Sequence, residues 1–167
     1  GEKVCSPAYS AEHLESVRKR LGRKPFIWDN YPVNDGEKMS KFLHLRGFNN
    51  SANALSSHSS GHAVNPALQA RLSLVPAYTL AVSYKNPETY NPALAFAAGA
   101  KKMLGSRVGS NIIKDVGSFQ DKGLDELSQK DKKSLRARYA KIQSPAAREI
   151  VLWLDGKYST HAHEAVL

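Results

Sequence analysis

Arg23-Lys24-Pro25-Phe26-Ile27-Trp28-Asp29-Asn30-Tyr31-Pro32-Val33-Asn34-Asp35 is the stretch whose reading decides the fold. Phe26-Ile27-Trp28 is a short apolar run of β-formers, and the chain turns polar and proline-broken from Asp29 onward. The pattern predicts a buried strand whose C-terminal end opens into a polar loop. Upstream, Ser10 fits the N-cap of a helix that carries Leu14, Val17 and Leu21 on one face, with Gly22 as its stop. Helix, tight turn and buried strand make one half of an α/β unit.

The same grammar returns at Gly61-His62-Ala63-Val64-Asn65-Pro66, a second short strand ending in Asn. Asn65 reads as an N-cap and Pro66 as a first helical residue. The helix so predicted holds Leu68, Leu72, Val75, Thr79 and Val82, and Pro76 should kink or divide it. Between the two strands, residues 42–45 read as a short strand or turn, 51–55 as a short helix and 56–61 as loop.

From Lys85 the pattern is helical. Residues 93–104 form an Ala-rich stretch, and 110–119 a weaker one. Ser128 to Asp131 resembles a capping box that starts a helix with Leu135, Tyr139 and Ile142 on one face. Ser144-Pro145 starts another, with Ile150, Val151 and Leu154 inward and Gly156 as terminator. No strand pattern follows Asn65. The organisation expected is an α/β part over residues 1–84 and a helical domain over 85–167. Two strands do not make a stable sheet, and each reads as buried on both faces, as in parallel α/β structure. Strands from another segment or another copy of the chain are therefore expected to complete it.

Composition narrows the function classes. With 167 residues, 41% hydrophobic and 23% charged, the chain can fill a core. Pro, Arg or Lys break every apolar run before membrane-spanning length, so no membrane partner is expected. The start of the sequence lacks a signal-peptide layout, which leaves the compartment, cytoplasmic or secreted, unassigned. A single cysteine, Cys5, excludes an intramolecular disulfide and a multi-thiolate metal site. The net charge of +9 raises nucleic acid as a partner. Yet the excess is spread evenly, 10 basic against 6 acidic residues over 1–84 and 14 against 9 over 85–167. The dense runs at 18–20, 23–24 and 130–133 read as solvated helix faces with few aromatics between them, which disfavours nucleic acid. His161-Ala162-His163 reads as solvated and not as a metal pair. His44, His58 and His62 lack a Ser or Cys partner in any triad motif, and there is no Gly-rich phosphate loop.

In parallel α/β folds the chemistry gathers at the C-terminal ends of strands. The two segments there, 28–35 and Val64-Asn65, combine Asn and Asp with aromatics, which suits a sugar. Asn offers a donor and an acceptor to neighbouring hydroxyls, Asp accepts from two, and a Trp face covers the apolar face of a pyranose. The competing reading is that these are turn formers and that Asn65 only caps a helix.

Residues 23–35, with the Trp-x-Asn-x-x-x-x-Asp pattern, and Gly61 to Pro66 together resemble glycoside hydrolase family 84, the O-GlcNAcases and bacterial β-N-acetylglucosaminidases, some described as hyaluronidases. Pro145-Ala146-Ala147-Arg148-Glu149 is similar to the helical domain that follows the barrel in bacterial members. The resemblance implies a C-terminal fragment of a TIM (β/α)8 barrel, its seventh and eighth strands, followed by an α-helical domain. It implies hydrolysis of terminal β-linked GlcNAc on a glycan or glycoprotein, with no metal or organic cofactor. It also implies substrate-binding roles for Trp28 lining the pocket, Asn30 near the scissile end, and Asp35 and Asn65 on the outer hydroxyls. In the family the substrate's own 2-acetamido oxygen attacks the anomeric carbon, and an adjacent Asp-Asp pair polarises that group and transfers the proton. This sequence has no Asp-Asp pair. Asp29 and Asp35 match non-catalytic positions, so no catalytic residue is assigned and the chain by itself is expected to be inactive. The alternative from another class is a non-enzymatic basic helical module, for interaction or carbohydrate binding.

Overall fold

The computed structural model describes residues 9–49 and 52–160, with the side chains of 52–54 left undescribed. Cys5, Ser51, His161 and His163 lie outside them. Helix α1 (Ala11–Leu21) starts at Ser10, whose hydroxyl accepts from the His13 amide, and ends at Gly22 in the left-handed region with φ 68°. Strand β1 (Phe26–Asp29) follows, then the 3-10 turn Met39–Lys41, helix α2 (Ala52–His58) and strand β2 (Gly61–Val64). The helices α3 (Leu74–Lys85), α4 (Pro92–Leu104), α5 (Ser106–Val116), α6 (Gly123–Glu126), α7 (Gln129–Ala140) and α8 (Pro145–Leu154) complete the order, with a π-helical segment over Gly117–Lys122.

β1 and β2 pair in parallel, Phe26 against Gly61 through Asp29 against Val64. The pairing is the two-stranded parallel sheet that the sequence pattern predicts. Burial departs from expectation. β1 alternates, with Ile27 and Asp29 buried while Phe26 and Trp28 are 60% and 64% exposed. Ile27 joins Tyr9, Leu14 and Leu55 in a small core on the α1–α2 side. On the other face no described element packs over Phe26 and Trp28, so a strand pattern apolar on both faces becomes one-sided here.

A second correction concerns residues 65–73. They form no helix, and α3 begins only at Leu74. Pro76 falls in its first turn, where its lacking amide hydrogen costs nothing, so the helix carries no kink. Residues 42–45 form neither strand nor helix, and α2 runs through Ser56 and Ser57 to His58, where loop was expected.

The main core draws Leu43, Leu45, Leu72 and Val75 together with the helices α4 to α8. At its centre Phe119 meets Trp153 edge-on at 5.6 Å and Tyr139 at a tilt at 5.8 Å between ring centroids. α4 and α5 cross at Gly109, where a Cβ would meet the Ala100 backbone at 2.5 Å, so only glycine permits the approach. Asn91 caps α4 by accepting from the Ala93 and Leu94 amides, and Ser128 caps α7 by accepting from the Asp131 amide. Among the described residues no strand follows Val64, and no helix is long and apolar enough to cross a membrane.

Candidate functional site

The C-terminal ends of β1 and β2 lie side by side, and the pairing carries on past them when the Asn65 amide donates to the Asp29 carbonyl at 2.8 Å. Side chains two apart on a strand share a face. Phe26, Trp28 and Asn30 therefore stand on the same side as Gly61, Ala63 and Asn65, the side left open. The Phe26 ring lies across Gly61, where a Cβ would fall 2.7 Å from it. The Asn65 amide nitrogen is 3.5 Å from the Asn30 carboxamide oxygen. Because residues 65–73 are not helical, Asn65 caps nothing, and its side chain is committed to the Asn30 side of the sheet.

Asp35 is exposed at the far end of the loop. Its backbone carbonyl accepts from the Thr160 hydroxyl at 3.1 Å. No hydrogen bond joins its carboxylate to Trp28, Asn30 or Asn65 among the described residues. Three of the four sequence-predicted site residues thus share one face, and the fourth stands apart on the rim.

The loop from Asn30 to Asp35 is fixed by polar struts. Asn34, fully buried, donates to the Phe42 carbonyl and the Gln69 side-chain oxygen, each at 2.9 Å, and its own oxygen accepts from the Leu68 amide at 2.9 Å. His44 Nδ1 lies 3.2 and 3.1 Å from the Pro32 and Val33 carbonyls, so that nitrogen carries the hydrogen. Burial holds the His44 imidazole below its ordinary pKa, with the two carbonyls pulling the other way. Tyr31 stacks on His44 and donates to the Arg46 carbonyl at 2.7 Å. Burial pushes its phenol well above the usual range, so it stays a donor. The segment below is tied to the helices: Gln120 accepts from the Leu45 and Arg46 amides at 2.8 and 2.9 Å, Arg46 pairs with Asp121, and Trp153 donates to the Ser40 carbonyl at 3.1 Å. The Arg46 guanidinium draws the Asp121 carboxyl below its ordinary value.

One constellation was missed by reading the sequence. On the sheet face opposite Trp28, Asp29 accepts from the Tyr31 amide at 3.1 Å and sits 3.2 Å from His62 Nε2, whose Nδ1 is 3.0 Å from the Tyr84 hydroxyl. Facing a carboxylate, Nε2 carries the hydrogen, and Nδ1 then accepts from Tyr84. The signal was available: Ile27 and Asp29 alternate on β1, and His62 pairs with Ile27. A triad search that looks only for Ser or Cys beside His passes over such a buried Asp–His–Tyr chain. The chain braces the back of the loop and faces away from the open side.

The acidic inventory is also clear. Asp125 and Glu126 are the one pair of neighbouring acids in the sequence. They lie exposed on α6, outside the strand ends, with Lys41 3.8 Å from Asp125. No group of His, Cys, Asp and Glu among the described residues could hold a metal ion.

The geometry defines an α/β unit with paired parallel strand ends and an Asn-bearing open face, and comparison with known proteins supplies its family. The family model described as beta-N-acetylglucosaminidase matches residues 1–116. The chain belongs to that family, glycoside hydrolase family 84. Protein O-GlcNAcase of Rattus norvegicus and that of Mus musculus are each 34% identical over 86 residues, which is 52% of this chain and 9% of theirs. A mutant O-GlcNAc hydrolase of Thermobaculum terrenum superposes with a TM-score of 0.67 at 26% identity, over 93% of this chain and 40% of that one. The structure of CpGH84B shares the fold, with a TM-score of 0.64 at 20% identity over 95% of this chain and 33% of its own. The chain thus spans only a small part of the curated relatives and well under half of the solved structures.

Proposed function

We propose that this chain is the C-terminal part of the barrel, with the following helical domain, of a β-N-acetylglucosaminidase that removes terminal β-linked GlcNAc from a glycan or glycoprotein. The supporting observation is the shared open face of Trp28, Asn30 and Asn65 at the joined ends of two parallel strands. Residues 1–84 supply the seventh and eighth barrel strands and residues 85–167 the helical domain, which holds the loop through Gln120, Asp121 and Trp153. The exposed faces of Phe26 and Trp28 and the unpaired outer edges of β1 and β2 await strands from a segment outside this chain or from another copy.

Within that reading, Trp28 lines the pocket and Asn30 lies near the scissile end. Asn65 and Asp35 grip the outer hydroxyls, Asp35 from a rim held by Asn34. Catalysis follows the substrate-assisted route, in which the 2-acetamido oxygen displaces the aglycone and forms an oxazoline that water then opens. On this reading the acid pair for that step comes from a segment outside this chain, which contains no Asp-Asp pair; Asp29 is turned to the back of the sheet, 3.2 Å from His62. The purified chain should therefore release no chromophore from an aryl β-GlcNAc substrate. Release that Asp35→Ala abolishes would overturn this division of labour.

A further inference from the structure

The helical half carries a charged groove that the sugar-site reading does not use. It occupies about 500 Å³ between α5 and α7, and its lining includes Arg107 and Asn111 from one side, Ser134 and Arg138 from the other, with Lys141 and Ile142 at the end. Arg138 is held in place by the buried Asp115 carboxylate, 2.7 Å away, which also accepts from the Tyr139 hydroxyl at 2.9 Å. Arg107 and Lys141 are exposed, and neither has a carboxylate partner among the described residues. The one acid of α7, Asp131, accepts from the Ser128 hydroxyl at 2.6 Å at the start of the helix.

The pattern extends along both helices. Lys130, Ser134, Arg138 and Lys141 recur at four, four and three residues, one stripe of α7, and Arg107, Asn111 and Lys114 form the facing stripe of α5. From Lys130 to Lys141 the stripe runs about 16 Å at helical rise. We propose that this groove docks an extended acidic peptide segment, whose carboxylates meet Arg107 and Lys141 and whose backbone amides meet Asn111 and Ser134. Charge complementarity selects the partner's sign. The lining holds no aromatic ring on which a base could stack, which argues for peptide over single-stranded nucleic acid.

Fluorescence anisotropy of a labelled oligoglutamate peptide against the 167-residue chain tests this. Binding should weaken at physiological salt. Arg107→Ala with Lys141→Ala should weaken it about tenfold, whereas the charge-keeping exchange Arg107→Lys with Lys141→Arg should retain it. Lys19→Ala with Arg20→Ala removes the same charge from exposed positions on α1 and should change little. Equal loss in the α1 control would overturn the groove, as would absence of peptide binding. Tighter binding of a thymidine oligonucleotide of equal charge would also overturn it.

Discussion

Asn34 offers the sharpest perturbation of the site's support. Its carboxamide makes three hydrogen bonds at 2.9 Å, all from a fully buried side chain. At about 1 kcal/mol net for each bond, Asn34→Ala should cost about 3 kcal/mol. The Phe42 carbonyl, the Leu68 amide and the Gln69 oxygen would be stranded beside Gln69 Nε2, which already lacks a partner, and this raises the cost toward 5 kcal/mol, an order-of-magnitude ceiling. With a urea m-value of about 2 kcal/mol/M, the midpoint should fall by about 1.5 M at unchanged slope. Asn34→Asp should be at least as damaging at neutral pH, because a carboxylate cannot donate to Phe42 or Gln69, and part of the loss should return in acid as the group gains a hydrogen. Urea unfolding followed by far-UV circular dichroism measures both. A loss below about 0.5 kcal/mol for Asn34→Ala, the range of ordinary surface changes, would refute the strut.

Three further outcomes follow from the same contacts. Glu149 accepts from the Arg71 and Leu72 amides at 3.0–3.1 Å; Glu149→Ala should cost about 1–2 kcal/mol in the same urea experiment, and no change would mean that α8 does not hold the segment before α3. The His44 imidazole has a folded pKa below its unfolded value near 6.5. The unfolded chain therefore binds more protons in acid, so His44 stabilises fully above about 6.5 and progressively less as pH falls below it. Thermal melts from pH 7.5 downward should show a steeper decline for the native sequence than for His44→Gln, and parallel curves would contradict this. His62→Leu should leave Asp29 buried without its partner and destabilise the chain by about 3 kcal/mol, whereas Trp28→Ala, on an exposed face, should stay within about 0.5 kcal/mol; similar losses for the two would refute the two-faced sheet.

The sequence was legible where local rules act alone. Ser10, Gly22 and Ser128 mark helix ends because capping is decided within a few residues, and both strands stand within a residue of the predicted runs. Pattern was blind to burial on the face of Phe26 and Trp28, since an apolar side chain that awaits a partner looks the same in sequence as one already covered. The stretch from Asn65 to Ser73 was misread as helix because tertiary bonds override an N-cap followed by proline: Leu68 donates to Asn34, and Arg71 and Leu72 to Glu149. Asn30 and Asn65 could be picked from their strand-end positions, yet their meeting depends on register, which only the fold supplies. His62 and Asn34 escaped because their roles depend on Tyr84, Phe42 and Gln69, distant in sequence.

The claim at the centre is that the open face of Trp28, Asn30 and Asn65 is a GlcNAc surface. Titrating isotope-labelled chain with N-acetylglucosamine, and with glycerol as control, while following side-chain amide and indole resonances tests it most directly. Saturable shifts of the Asn30 and Asn65 side-chain amides and the Trp28 indole are expected with the sugar alone. Shifts confined to α4 to α8, or none on that face, would contradict it.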